Sequence, residues 1–107
     1  MIASVSGKVI HKTGEAIIVE VGGVGLSVLV PAPLRDRLRP GDIVFLHTHL
    51  VVRQDALVLF GFDTEEMREF FDLLLSVDGI GPKSALSILS YLAPDAIRRA
   101  VFNEQAD

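Results

Sequence analysis

The sequence predicts an α+β fold: a small five-stranded barrel over residues 1–62, followed by a helical domain over residues 63–107. Three features point there. Short, β-branched, turn-bounded segments fill the first 62 residues. Apolar residues switch to helical spacing from Asp63 onward. Half of the 107 residues are hydrophobic, enough for a packed core in a chain of this size.

Residues 2–10 alternate apolar with small or polar positions, as a half-buried strand does. Lys12-Thr13-Gly14-Glu15 reads as a turn, and residues 16–21 as a second strand. Gly22-Gly23-Val24-Gly25 allows a tight reversal into a third strand, residues 26–30, closed by Pro31 and Pro33. Residues 34–38 make one helical turn before Pro40-Gly41-Asp42. Residues 43–52 and 56–62 are the fourth and fifth strands, joined by an Arg53-Gln54-Asp55 tip. Five short strands without a long helix suit a closed barrel, either oligonucleotide/oligosaccharide-binding (OB) or SH3-like. Closure avoids long apolar edges.

Asp63-Thr64-Glu65-Glu66 caps a helix and puts acids in its first turn. Met67, Phe70, Phe71, Leu74 and Leu75 form its apolar face. Pro82 opens a second helix with Ala85, Leu86, Ile88, Leu89 and Leu92 inside. Ala93-Pro94-Asp95 breaks it, and residues 96–105 start a third. No linker separates barrel from helices, so they are expected to pack together. The chain stops as the third helix ends, which reads as an incomplete helical domain.

Ten basic and 14 acidic residues give a net charge of −4, so any nucleic-acid contact must be local. Residues 1–62 carry +1 and residues 63–107 carry −5. The absence of cysteine excludes disulfides, a thiol nucleophile and thiolate zinc sites. The N-terminus lacks a secretory signal pattern and no apolar run reaches membrane-spanning length, so a cytoplasmic protein without membrane contact is expected.

The stretch richest in chemistry is Leu75-Ser76-Val77-Asp78-Gly79-Ile80-Gly81-Pro82-Lys83-Ser84-Ala85. Gly79 and Gly81 give backbone freedom, and Ile80 plugs between the helices. The free amides of the bend and of the next helix's first turn, with the helix dipole behind them, make an anion site suited to phosphate. Lys83 adds charge and Ser84 a hydroxyl, while Ala85 lets the helices approach. A glycine-rich turn between core helices is the bland alternative.

Other phosphate loops fail. Pro82 interrupts the Gly-Lys-Ser order of a Walker loop, and a helix precedes the glycines where a dinucleotide site needs a strand. His47 and His49 face one side of a strand, but no third ligand accompanies them, so surface histidines are expected and no metal site. Arg35, Arg37 and Arg39 read as a solvated face, with a subunit contact as the alternative. Asp95 is the acid nearest after the hairpin and has no pocket aromatics beside it. No catalytic residue is identified, and an enzyme is not expected.

The Gly79–Lys83 stretch resembles a helix-hairpin-helix motif, which grips the DNA backbone without reading bases. Barrel plus hairpin resembles the family of the Holliday junction DNA-binding subunit RuvA. The likeness rests on Met1-Ile2 leading to Gly7, on Val21-Gly22-Gly23-Val24-Gly25, and on Thr48-His49-Leu50-Val51-Val52-Arg53-Gln54-Asp55-Ala56. Leu59-Phe60-Gly61-Phe62 and residues 74–86 complete it, in order along the chain.

The resemblance implies an OB-fold barrel and the first part of a helix-hairpin-helix domain. It implies a non-catalytic scaffold, a homotetramer holding four-way junction DNA during recombination and repair. The partners would be the RuvB ATPase, engaged through a third domain, and the RuvC resolvase. Gly79, Ile80, Gly81, Lys83 and Ser84 would hold DNA phosphates. Arg53, Gln54 and Asp55 would form the pin at the junction centre, where the family pattern has two consecutive acids and this chain has Gln54 before Asp55. No cofactor is implied, although some helix-hairpin-helix proteins allow a monovalent cation on the hairpin carbonyls. No second Gly-x-Gly hairpin and no third domain occur in the 107 residues, so weaker junction binding than a full subunit and no motor recruitment are expected. The rival readings are a generic duplex-binding helix-hairpin-helix module of another repair protein, and a protein-binding barrel with a merely structural hairpin.

Overall fold

The computed structural model describes residues 2–91. Five strands close into a barrel in the order β1-β2-β3-β5-β4, with β1 completing the ring against β4. They are β1 (Ser4–Lys12), β2 (Ala16–Val21), β3 (Val24–Leu29), β4 (Ile43–Val52) and β5 (Leu57–Phe62). All pairs are antiparallel except β3 with β5. That order is OB-like and decides between the two barrels the strand pattern allowed.

One strand serves two neighbours. Residues 4–8 of β1 pair with β4, and residues 8–12 pair with β2. The hand-over needs close approach and curvature. A Cβ on Gly7 would run into the Glu20 carbonyl oxygen. A bulge between Val9 and His11 then adds bend. This second pairing carries β1 two residues beyond the predicted strand, and Lys12 belongs to the strand, not to the turn. The turn itself is held by Thr13, whose amide donates to the Ala16 carbonyl at 2.8 Å and whose Oγ1 accepts from the Ala16 amide at 3.0 Å. Between β2 and β3 the chain reverses through Gly22 (φ 57°) and Gly23 (φ 86°), a two-residue turn whose handedness matches strand twist. The strand therefore resumes at Val24, earlier than expected.

Val5, Val9, Ile17, Val19, Val28, Val44, Leu46 and Leu59 fill the barrel. One end is stoppered by a short helix, α1 (Ala32–Arg37), through Leu34 and Leu38. The helix begins two residues before the expected turn because Pro33 sits at an N-terminal position, where its missing N–H costs nothing.

β5 is buried on both faces, which explains its almost unbroken apolar run. Leu59 and Gly61 face the barrel interior, and a Cβ on Gly61 would lie 2.7 Å from Val28 Cγ1. Phe60 and Phe62 face the other way, onto helices α2 (Glu65–Leu75) and α3 (Pro82–Tyr91). There Phe71 meets Phe60 and Phe62 at ring-centroid distances of 5.1 and 4.9 Å, with Ala85 and Leu89 closing the cluster. Barrel and helices thus share a second core. Thr64 caps α2 by accepting from the Met67 amide at 3.2 Å, with Glu65 and Glu66 in the first turn as predicted. The third predicted helix, residues 96–105, lies outside the described residues, as do Leu92 and Asp95.

Phe71→Ala should cost about 3–5 kcal/mol, since it empties a fully buried aromatic site. Urea unfolding followed by circular dichroism measures this. A loss below about 1 kcal/mol would mean that the helices do not depend on this contact.

Candidate nucleic-acid interface

α2 ends at Ser76, whose hydroxyl donates to the Leu73 carbonyl at 2.6 Å. The Val77 amide still bonds Leu74 O at 3.1 Å, and the Ile80 amide bonds Val77 O at 3.2 Å. Gly79 then takes φ +89°, a conformation that side chains with a β-carbon rarely adopt. α3 begins at Pro82, and the Ala85 amide donates to the Gly81 carbonyl at 2.9 Å, so Gly81 serves as the cap residue.

The two glycines therefore differ. Gly79 needs its freedom for the left-handed turn. Gly81 does not have a positive φ; a β-carbon there would meet nothing within 4 Å, so it leaves the backbone open to solvent. Ile80 is half-buried against the phenylalanine cluster, the plug position expected of it. Its amide is taken by Val77 and is not available to a ligand, a correction to the set of free donors. Among the described residues, no hydrogen bond occupies the amides of Gly79, Gly81, Lys83 or Ser84. These four donors lie at an exposed bend, at the positive end of α3. Ala85 is fully buried where α3 packs.

Lys83 and Ser84 are both exposed. The Lys83 ammonium lies 3.6 Å from the Glu15 carboxylate, and both side chains are 71% exposed. Lys83 also lines a groove of about 410 Å³ with Val51, Arg53, Asp55, Val58 and Phe60. The tip and the hairpin, 28 residues apart between Asp55 and Lys83, thus border one concavity. Arg53, Gln54 and Asp55 are exposed at the end of the β4–β5 ribbon, closed by an Arg53 amide to Ala56 carbonyl bond of 2.8 Å.

The two strand histidines part company. His47 sits edge-on to Phe45, with ring centroids 5.2 Å apart. His49 turns toward α2, its Nδ1 2.8 Å from Asp72 Oδ1 and its ring edge-on to Phe71 at 5.4 Å. Asp72 Oδ1 is buried against this ring nitrogen, and among the described residues no well-aligned hydrogen bond reaches it. Arg68 holds the second Asp72 oxygen at 2.9 Å. His49 is thus a tie between barrel and helix, a role that strand alternation alone could not reveal. Arg37 stays solvated, its side chain 64% exposed, while also pairing with Asp63 at 2.8 Å. Among the described residues, no three histidine or acidic side chains converge as a metal site would need, and no helix is long and apolar enough to cross a membrane.

The chain is 48% identical over 101 residues to a Holliday junction branch migration complex subunit RuvA of Leifsonia xyli subsp. xyli, covering 94% of this chain and 49% of the relative. Identity to the protein of that name from Symbiobacterium thermophilum is 47% over 108 residues, covering 100% and 53%. For Staphylococcus aureus it is 42% over 104 residues, covering 97% and 52%. The chain spans about half the length of these relatives. The family described as the RuvA N-terminal domain matches residues 1–61, the whole of the barrel short of its last residue. Barrel order, hairpin and match agree, and the chain belongs to the RuvA N-terminal domain family.

Proposed function

We propose that this chain is a non-catalytic, cytoplasmic DNA-binding scaffold that holds four-way junctions for branch migration in recombination and repair. The observation that carries it is the exposed bend at residues 79–84, with four unoccupied amides and Lys83, bordering the same groove as the β4–β5 tip. Amides at a helix start hold phosphate oxygens without reading bases, which suits binding of a structure and not of a sequence. The names of the relatives support the junction as the target. In this reading Gly79, Gly81, Lys83 and Ser84 contact the strand backbone, and Ile80 supports the bend from beneath.

The tip acts by repulsion. In a homotetramer the four copies of residues 53–55 meet at the symmetry axis, where Asp55 keeps crossing strands apart and Gln54 contributes polarity without charge. The RuvB motor and the RuvC resolvase would work on DNA held open in this way. No cofactor enters the scheme, because amides, one lysine and a hydroxyl suffice to hold phosphate.

Two measurements test the reading. Lys83→Ala should lower the slope of log K against log salt by about 0.9 for each subunit engaged, since one phosphate contact and its released counterion are lost. A slope equal to the parent's would favour the protein-binding adaptor. Gln54→Glu should raise the preference for four-way over linear DNA roughly two- to fivefold in a competition gel shift, by restoring charge to an exposed tip. An unchanged preference would remove the tip from the mechanism. Equal affinity of the parent chain for four-way and linear DNA would favour a generic duplex-binding module.

A further inference from the structure

Lys83 borders a second groove. On the other side of α3 a concavity of about 200 Å³ is lined by Glu15, Leu29, Arg35, Lys83, Ser87 and Ser90, among others. Arg35 comes from α1, whose first amide, that of Ala32, donates to Ser90 Oγ at 3.1 Å. Lys83 thus joins two grooves, one leading to Arg53 at the β4–β5 tip and one leading to Arg35.

Four cations among the described residues lie within 4 Å of a carboxylate, and they pair with unequal closeness. Arg37 and Arg68 are held by carboxylates at 2.8 and 2.9 Å, Arg37 by Asp63 beyond β5 and Arg68 by Asp72 within α2. Arg35 and Lys83 are held loosely. The nearest carboxylate to Arg35 is its chain neighbour Asp36 at 3.9 Å from Nε, and Glu15 stands 3.6 Å from Lys83, both beyond a charge-assisted hydrogen bond. Arg35 is the more telling of the two. Its side chain is only 23% exposed, yet none of its five donors makes a hydrogen bond within the described residues. A half-buried arginine side chain whose donors remain open to solvent, lining the same groove as Ser87, can offer paired N–H groups to two oxygens of a phosphate.

We infer that Arg35 is a further phosphate-binding residue, and that a DNA strand entering at the hairpin continues over α3 into the Arg35 groove. This rests on the reading of Lys83 as a phosphate contact. The ligand is a phosphodiester backbone; the bases need not be read, since the lining offers no row of acceptors and donors aimed at a base edge. Glu15 lines this groove, and Asp36 is the chain neighbour of Arg35. Both are largely exposed, at 71% and 74%, so a phosphate can displace their weak pairing at little cost.

The test uses Arg35→Gln and Lys83→Ala with a four-way junction, reading affinity, salt slope and solution mass by light scattering. Arg35→Gln should weaken binding about tenfold at low salt and lower the slope by about 0.9 for each subunit engaged, with mass unchanged. Arg35→Lys should restore the slope, because it keeps the charge, while recovering only part of the affinity. A parent-like slope for Arg35→Gln, with a lowered slope for Lys83→Ala, overturns the inference and leaves the hairpin reading standing. Parent-like slopes for both overturn the hairpin reading itself. A reduced mass for Arg35→Gln assigns the residue to a subunit contact and also overturns the inference.

Discussion

The placement of the hairpin depends on the contact of Phe71 with Phe60 and Phe62. A helix pair of this size buries too little to hold a fixed angle alone. β5 supplies the missing surface by turning its outer face into a second core, with rings 4.9 and 5.1 Å from Phe71. The inner face of that same strand lines the barrel, and Gly61 permits the close approach of Val28 there. One strand therefore couples two cores, and the β4–β5 tip, a continuation of that strand pair, is carried at a defined position relative to the bend at Gly79.

A polar tie lies beside the aromatic one. His49 on β4 and Arg68 on α2 each bind one oxygen of Asp72, at 2.8 and 2.9 Å. The Asp72 side chain is 40% exposed, so these contacts direct a partly solvated carboxylate and do not rescue a buried charge. With them it orients α2 along the barrel, a directional constraint that ring packing by itself supplies only weakly.

The charge distribution follows the same economy. A chain of net charge −4 avoids indiscriminate attraction to DNA. Among the described residues, free amides lie at the bend beside the exposed Lys83, while Arg37 and Arg68 sit in close pairs with carboxylates.

Local chemistry was legible where it is decided locally. The strands of β2 and β4 agree with prediction to the residue, because turn residues bound them. The cap at Thr64, Pro82 at the start of α3 and the apolar seat of Ile80 follow from short-range rules as well. The bounds of β1 were missed because its extra pairs come from β2 and β4, which are distant in sequence. Gly79 and Gly81 differ in that only Gly79 adopts a positive φ, while a β-carbon on either would meet nothing within 4 Å. What the sequence alone determined is the element order and the bend; what only tertiary structure decided is which charges stay free. Arg35 and Arg37 are two residues apart on one short helix, yet Asp63 reaches one and no carboxylate binds the other closely, a difference set by packing across the chain.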